Sequence, residues 1–359
     1  MVNVASEAGN FFQTDAEIQK QKEKEAKYNY TIGDCIKLSS KGLALTIVEE
    51  GKYAYVAESG FLAKRVNLET HKTVKLFKGH HGPVTSLALS NNGAILWTGS
   101  WDKTIKKWDT NTGECLATLA GHTDFVKSLV AVGKVLYSSS SDTHIRKWDM
   151  QTHECLDVLK NHHSRPIESL AVSPDGQFLF SASTDRTIKK WDLRTDECVK
   201  TYEGHDTSIY CVRVWDDEIW TASADKTVRR WNIETGQADT VLVHPAAAKS
   251  VIVVGPYVVT GASDDNIRVW DIASGKLECT IEGHFDEIGC LDVYGSTVYS
   301  ASLDCSLRRW TITGSALKEY AEEAKKPKKK KEEEEEKPAT GLTEEEEREL
   351  AELMDDSDN

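Results

Sequence analysis

Side chains able to do acid–base and nucleophilic chemistry recur along this chain at fixed intervals. Each interval opens with a His (His80, His122, His162, His205, His244, His284) and continues with a hydroxyl (Thr98, Ser138, Ser181, Thr221, Thr260, Ser300). An Asp follows (Asp102, Asp142, Asp185, Asp225, Asp264, Asp304), and a Trp closes the interval (Trp108, Trp148, Trp191, Trp231, Trp270, Trp310). The hydroxyl stands ten residues before the Trp and the Asp six. Ser, His and Asp are the parts of a hydrolase, in which the imidazole takes the nucleophile's proton and the carboxylate orients the imidazole. Their number speaks against that use. An enzyme needs one site, whereas a repeated scaffold needs one internal lock per repeat. No P-loop, dinucleotide fingerprint or His-Glu-x-x-His accompanies them. His80-His81 and His162-His163 have the look of metal pairs, but one of each belongs to the repeat, so neither a metal nor a cofactor is expected.

The elements that position these residues must repeat with them. The Trp residues lie 40, 43, 40, 39 and 40 positions apart, a period that marks repeat architectures. Lys107-Trp108-Asp109 returns as Lys147–Asp149 and Lys190–Asp192, and in variant form around Trp231, Trp270 and Trp310. Between His and Trp lie short β-branched or aromatic runs such as Ile95-Leu96-Trp97-Thr98. Turn residues such as Asn91-Asn92-Gly93 and Pro174-Asp175-Gly176 separate them, so the runs read as strands. Trp97, Tyr137, Phe180, Trp220 and Tyr299 each precede the repeat's hydroxyl, a regular phase that marks packing between repeats rather than a site.

On these residues the chain resembles the WD40 repeat family, over about residues 38–320. The resemblance implies an all-β fold: a seven-bladed WD40 β-propeller, about four strands per blade around a central channel. It also implies that in each blade the turn Asp, loop His, strand hydroxyl and indole N–H satisfy one another, because buried polar groups are tolerated only when paired. A seventh, decayed copy sits in front, where Leu43–Gly51 aligns with Ser86–Gly93 and Lys72–Phe77 serves as fourth strand. Two segments compete to close the ring. Gly33-Asp34-Cys35-Ile36 mimics the fourth-strand phrase Gly113-Glu114-Cys115-Leu116, and Thr313–Tyr320 also fits it. The short connection after Cys35 slightly favours the C-terminal segment.

Cys35, Cys115, Cys155, Cys198 and Cys279 read as one fourth-strand position, and Cys211 and Cys290 as one first-strand position. Copies in different blades are apart in space, and no C-x-x-C occurs, so small buried thiols in a reducing compartment are expected.

In WD40 proteins a partner usually docks on the narrow top face. The positions that resemble its contacts are the residue before each turn Asp (Trp101, Ser141, Thr184, Ala224, Ser263, Leu303) and the start of each first strand. From these, Trp101, Phe125 and Tyr210 with Lys127 and Lys249 form the candidate partner-binding surface, suited to an acidic or phosphorylated peptide. Trp191-Asp192-Leu193-Arg194 resembles the W-D-x-R motif by which some WD40 substrate receptors engage a cullin ubiquitin-ligase adaptor, so Arg194 is a candidate contact.

The organisation read from the chain is a polar extension (1–30), a propeller (31–320) and a Lys/Glu-rich acidic tail (321–359). Charged, largely disordered extensions are expected at both ends, with a short helix possible over 342–354. Lys325, Lys326, Lys328, Lys329, Lys330 and Lys331 resemble a nuclear import signal. Net charge is −14, of which −8 falls on the tail, so direct nucleic-acid binding by bulk charge is not expected. The longest apolar stretch, Val251–Val259, is broken by Gly255 and Pro256 and is too short for a membrane span. The function expected is a non-enzymatic interaction scaffold, a monomer within a larger complex, cytoplasmic or nuclear. A ubiquitin-ligase substrate receptor and a nuclear ribonucleoprotein or chromatin-assembly factor are the alternatives.

Overall fold

The apolar runs are four to seven residues long and end at turns, so each can bury one face only by pairing with its neighbour. The result, in a computed structural model that describes residues 33–49, 51–159 and 163–323, is seven four-stranded antiparallel sheets. They form the seven blades of a propeller. Blades 1 to 6 are continuous (42–78, 84–120, 126–158, 167–203, 209–243 and 248–282), and blade 7 uses 288–311. The decayed first copy is a full blade.

Seven apolar clusters hold the ring, each between one blade and the next. The aromatic of one blade's second strand packs in a cluster with the repeat Trp of the following blade. Tyr55 shares its cluster with Trp108, Trp97 with Trp148, Tyr137 with Trp191, Phe180 with Trp231, and Trp220 with Trp270. Tyr299 of blade 7 packs with Leu45, Val56 and Val66 of blade 1, which closes the circle.

The clasp is N-terminal. Ile36–Lys37 pairs with Ser306–Leu307 as the outer strand of blade 7, and Ile36 and Leu38 are buried in the junction with blade 1. The C-terminal segment favoured for this slot is instead a helix, α1 (Gly314–Glu323). Thr313 caps it, with Oγ1 accepting the Ala316 N–H. Leu317, Tyr320 and Ala321 fall on one face and pack against the cluster of Trp310 and Ile312. The register also corrects the phrase match that suggested the clasp. Ile36 opposes Leu307 as Leu119 opposes Ile105, so Cys35 corresponds to Thr118 rather than to Cys115.

The cysteine grouping changes likewise. Cys115, Cys155 and Cys198 each oppose the repeat Trp, but in blade 6 Leu277 does so and Cys279 lies two residues on. Cys115 and Cys155 are exposed, contrary to the expectation of buried thiols, because outer strands have one solvent face.

Candidate functional site

Blades 2, 3, 4, 5 and 7 each contain a complete network. In blade 3 the Trp148 indole N–H donates to Ser138 Oγ (2.8 Å), the hydroxyl meets His122 Nε2 (2.7 Å), and His122 Nδ1 meets Asp142 Oδ2 (2.8 Å). The same oxygen also accepts the Thr123 N–H at 3.0 Å. Burial alone would raise the carboxyls of Asp102, Asp142, Asp185 and Asp225. Hydrogen bonds from the imidazoles and from neighbouring donors more than offset it and hold them well below the usual carboxylate range. Burial lowers the His122 and His284 pKa, which favours the neutral ring. The hydroxyl that would be the nucleophile is fully buried and held by the indole, so these triads lock blades.

Two expected members are corrected. In blade 4 the ring bonded to Asp185 and Ser181 is His163, in the place expected for His162, which lies outside the described residues. In blade 6 His244 reaches Thr260 (2.8 Å), but its Nδ1 turns to the Leu242 carbonyl (3.2 Å) rather than to Asp264. The reason is local. In the five intact networks the residue after the His gives its N–H to the Asp, and here that residue is Pro245, which has none. Asp264 pairs with Arg268 instead, and burial pushes His244 down to about 4. Blade 1 replaces its lost network by a buried ion pair of Lys64 Nζ and Glu58 (2.5 Å), with Glu58 also accepting the Ser40 N–H and hydroxyl.

Polar groups also brace the inside of the ring. Arg213 of blade 5 donates to the Leu291 carbonyl of blade 7 (3.4 Å), and Asp292 accepts the Ile47 N–H of blade 1 (2.6 Å). Nothing in the repeat pattern pointed to this bracing, since neither residue type recurs at its position.

The top face is where second strands turn into third strands and where each blade hands over to the next. Every first strand is bulged there, and the extra residue of each bulge is left outside the ladder: Leu43, Thr85, Lys127, Glu168, Tyr210, Lys249 and Gly289. Trp101 is 41% exposed and stacks on Phe125, centroids 4.9 Å apart and planes 15° apart. Tyr210 lies apart from them, under Lys249 Nζ at 4.0 Å. Both lysines are already paired, Lys127 with Glu168 (3.1 Å) and Lys249 with Glu287 (3.0 Å). The expected positive edge is therefore largely neutralised by carboxylates of the next blade. One aromatic escaped the sequence reading because its blade is degenerate. Phe61, at the top turn of blade 1, is 49% exposed and has φ +66°. Bulky residues adopt that conformation only at a cost.

Arg194 lies on the opposite face, in the turn after the third strand of blade 4. Its side chain is 84% exposed, 3.9 Å from Asp192, at the rim of a cleft of about 420 Å3 lined also by Tyr137, Lys147 and Leu193. Lys325, Lys326, Lys328, Lys329, Lys330 and Lys331 and the segment 342–354 lie outside the described residues. Among the described residues no His/Cys/Asp/Glu group is placed to hold a metal, and no helix is long and apolar enough to cross a membrane.

The family model for the WD domain, G-beta repeat, matches residues 71–109, 113–149, 153–192, 196–232, 244–271 and 275–311. The chain is a WD40-repeat protein. It is 32% identical to an uncharacterised WD repeat-containing protein of Schizosaccharomyces pombe, over 96% of this chain and 98% of that one. Shorter similarities include myosin heavy chain kinase C of Dictyostelium discoideum (34% identical over 27% of this chain and 12% of that protein). Another is COMPASS component SWD3 of Saccharomyces cerevisiae (32% over 22% of this chain and 25% of that protein). The six matched segments cover the fourth strand of blade 1 and most of blades 2 to 7, whereas the first three strands of blade 1 (42–67) lie outside them and are seen only in the structure.

Proposed function

We propose that this WD40-repeat protein is an interaction scaffold whose top face receives an apolar segment of a partner protein on Phe61, Trp101 and Phe125. WD40 propellers generally serve in binding rather than catalysis, which supports the coarse reading. Phe61 carries the finer one. The turn position it occupies takes positive φ in every blade, but only in blade 1 does it hold an aromatic ring, left half exposed, as expected of a residue kept for contact with another molecule. The stacked, exposed Trp101 beside it in the ring suits a binding hot spot.

Affinity capture with mass spectrometry on the intact chain, compared with a Phe61→Gly, Trp101→Ala variant, tests this. The variant is expected to melt only slightly below the parent, because glycine relieves the positive φ while loss of the Trp101–Phe125 stack costs about 1 kcal/mol, and to lose its partners. Retention of every partner by a folded variant refutes the face assignment.

A second reading, attachment to a ubiquitin-ligase adaptor through Arg194, is supported by that side chain's exposure at the rim of the bottom cleft. Loss of ligase subunits from the captured set on Arg194→Ala would support it, and an unchanged set would dispose of it. Nuclear placement through Lys325–Lys331, and with it a ribonucleoprotein or chromatin role, is tested by fusing that segment to a cytoplasmic reporter.

A further inference from the structure

We propose that the top-face cleft between blades 4 and 5 binds the phosphoryl group of a phosphorylated serine or threonine in a partner polypeptide. The proposal rests on the docking reading for the nature of the partner but uses different blades and different side chains. The cleft, of about 350 Å3, is lined by Arg165 and Arg186. Both side chains are exposed, and neither guanidinium has an ion pair or hydrogen bond among the described residues. That sets them apart from Lys127 and Lys249, whose charges are answered by Glu168 and Glu287. Arg186 projects from a turn residue at φ +73°, the position that in blade 1 presents Phe61.

The hydroxyls of Ser164, Thr207 and Ser208 line the same cleft and also lack side-chain partners among the described residues. A phosphate monoester carries about −1.5 to −2 charges and three acceptor oxygens. Two forked guanidinium groups and three hydroxyls meet that demand, and guanidinium–phosphate pairing is directional as well as strong. A carboxylate has one charge and two oxygens and would leave one guanidinium unanswered. Nucleic acid fits less well, because it needs a continuous cationic track, and this is an isolated pair on a chain of net charge −14. Two carboxylates line the cleft too and oppose any anion: Asp185, whose oxygen is engaged by the His163 ring and the Ser164 N–H as part of the blade 4 lock, and Asp206, which has no such role. Asp206 supplies the sharpest test, since removing its charge must help if the ligand is anionic.

Fluorescence anisotropy on the full chain provides the measurement. The probes are a labelled phosphothreonine peptide pool with randomised flanks, its unphosphorylated twin, and an oligouridylate. The phosphorylated pool is expected to bind about tenfold tighter than its twin or more. Arg165→Gln with Arg186→Gln should erase that difference at an unchanged melting temperature, and Asp206→Asn should enlarge it. Equal binding of the two pools, indifference to the arginine variant, or tighter binding of the oligouridylate each overturns the proposal. The Phe61→Gly, Trp101→Ala variant separates the two readings. If it binds both pools like the parent while the arginine variant loses selectivity, the docking reading fails and this one stands. If it weakens both pools in a protein that shows no phosphate selectivity, the reverse holds.

Discussion

Gly33→Ala tests whether the N-terminal strand really fastens the ring. Gly33 has φ +81°, its carbonyl accepts the Arg309 N–H (2.8 Å), and an added Cβ would lie 2.5, 2.7 and 2.9 Å from three ring carbons of Trp310. Carbon contacts are comfortable at about 3.5–4.0 Å, so the overlap approaches an ångström. Trp310 cannot yield cheaply, being 1% exposed with its indole N–H bonded to Ser300 at 2.8 Å. The clasp must lift, drawing Ile36 and Leu38 partly out of their cluster. Left-handed strain in Ala contributes about 1 kcal/mol, and partial exposure of two apolar side chains contributes roughly 2 more. Gly113→Ala is the matched control. It has the same φ of +81°, but its Cβ would meet Lys75 Cδ at 2.8 Å, on a flexible side chain that can move aside. The control is expected to cost about 1 kcal/mol and Gly33→Ala about 3 kcal/mol, read as urea midpoints at constant slope. Equal losses, or a neutral Gly33→Ala, would refute the N-terminal clasp.

Asp142→Ala strands the His122 Nδ1–H, the Thr123 N–H and the His144 N–H; only the first is deeply buried, so about 2–4 kcal/mol should be lost in a thermal or urea melt, and an unchanged melt would deny the network its role. Lys64→Met leaves the Glu58 carboxylate buried without its cation and should cost about 3 kcal/mol; adding Glu58→Gln should restore at least half, and a double variant worse than the single would contradict the ion-pair account. His244 is depressed to about 4 in the folded state. Its contribution is therefore complete above the unfolded value of about 6.5 and lost as pH falls to about 4, up to roughly 3 kcal/mol. His244→Gln should flatten the dependence of the urea midpoint on pH over that window, and an unaltered slope would exclude it. Below about pH 4 the depressed aspartates add a further loss in the same direction.

Period, blade number and interblade aromatics were legible because each repeat places the same residue types at the same phase. The errors arose where one residue alters a local rule. His163 differs from His162 by parity. A ring 22 residues before its Asp matches His80 and Asp102, whereas a spacing of 23 matches no blade, because a one-residue slip turns a side chain to the other face. Pro245 hid the rerouting of Asp264 in plain sight. The partners of Lys127 and Lys249 were not legible, since each carboxylate comes from the next blade, about forty residues on. Phe61, Arg165 and Arg186 carry no motif, and only their exposure in the folded ring singles them out.

A circle fastened by two residues of outer strand has a seam. The six other outer strands are four to seven residues long, so blade 7 holds its edge by the shortest ladder in the ring. The chain enters the ring at this edge and leaves it from the same blade, through α1. Tension applied at either end therefore arrives at the seam before it reaches any other blade, and mechanical opening should begin there. A single-molecule pulling record would then show a small first step at blade 7, ahead of the loss of the remaining six.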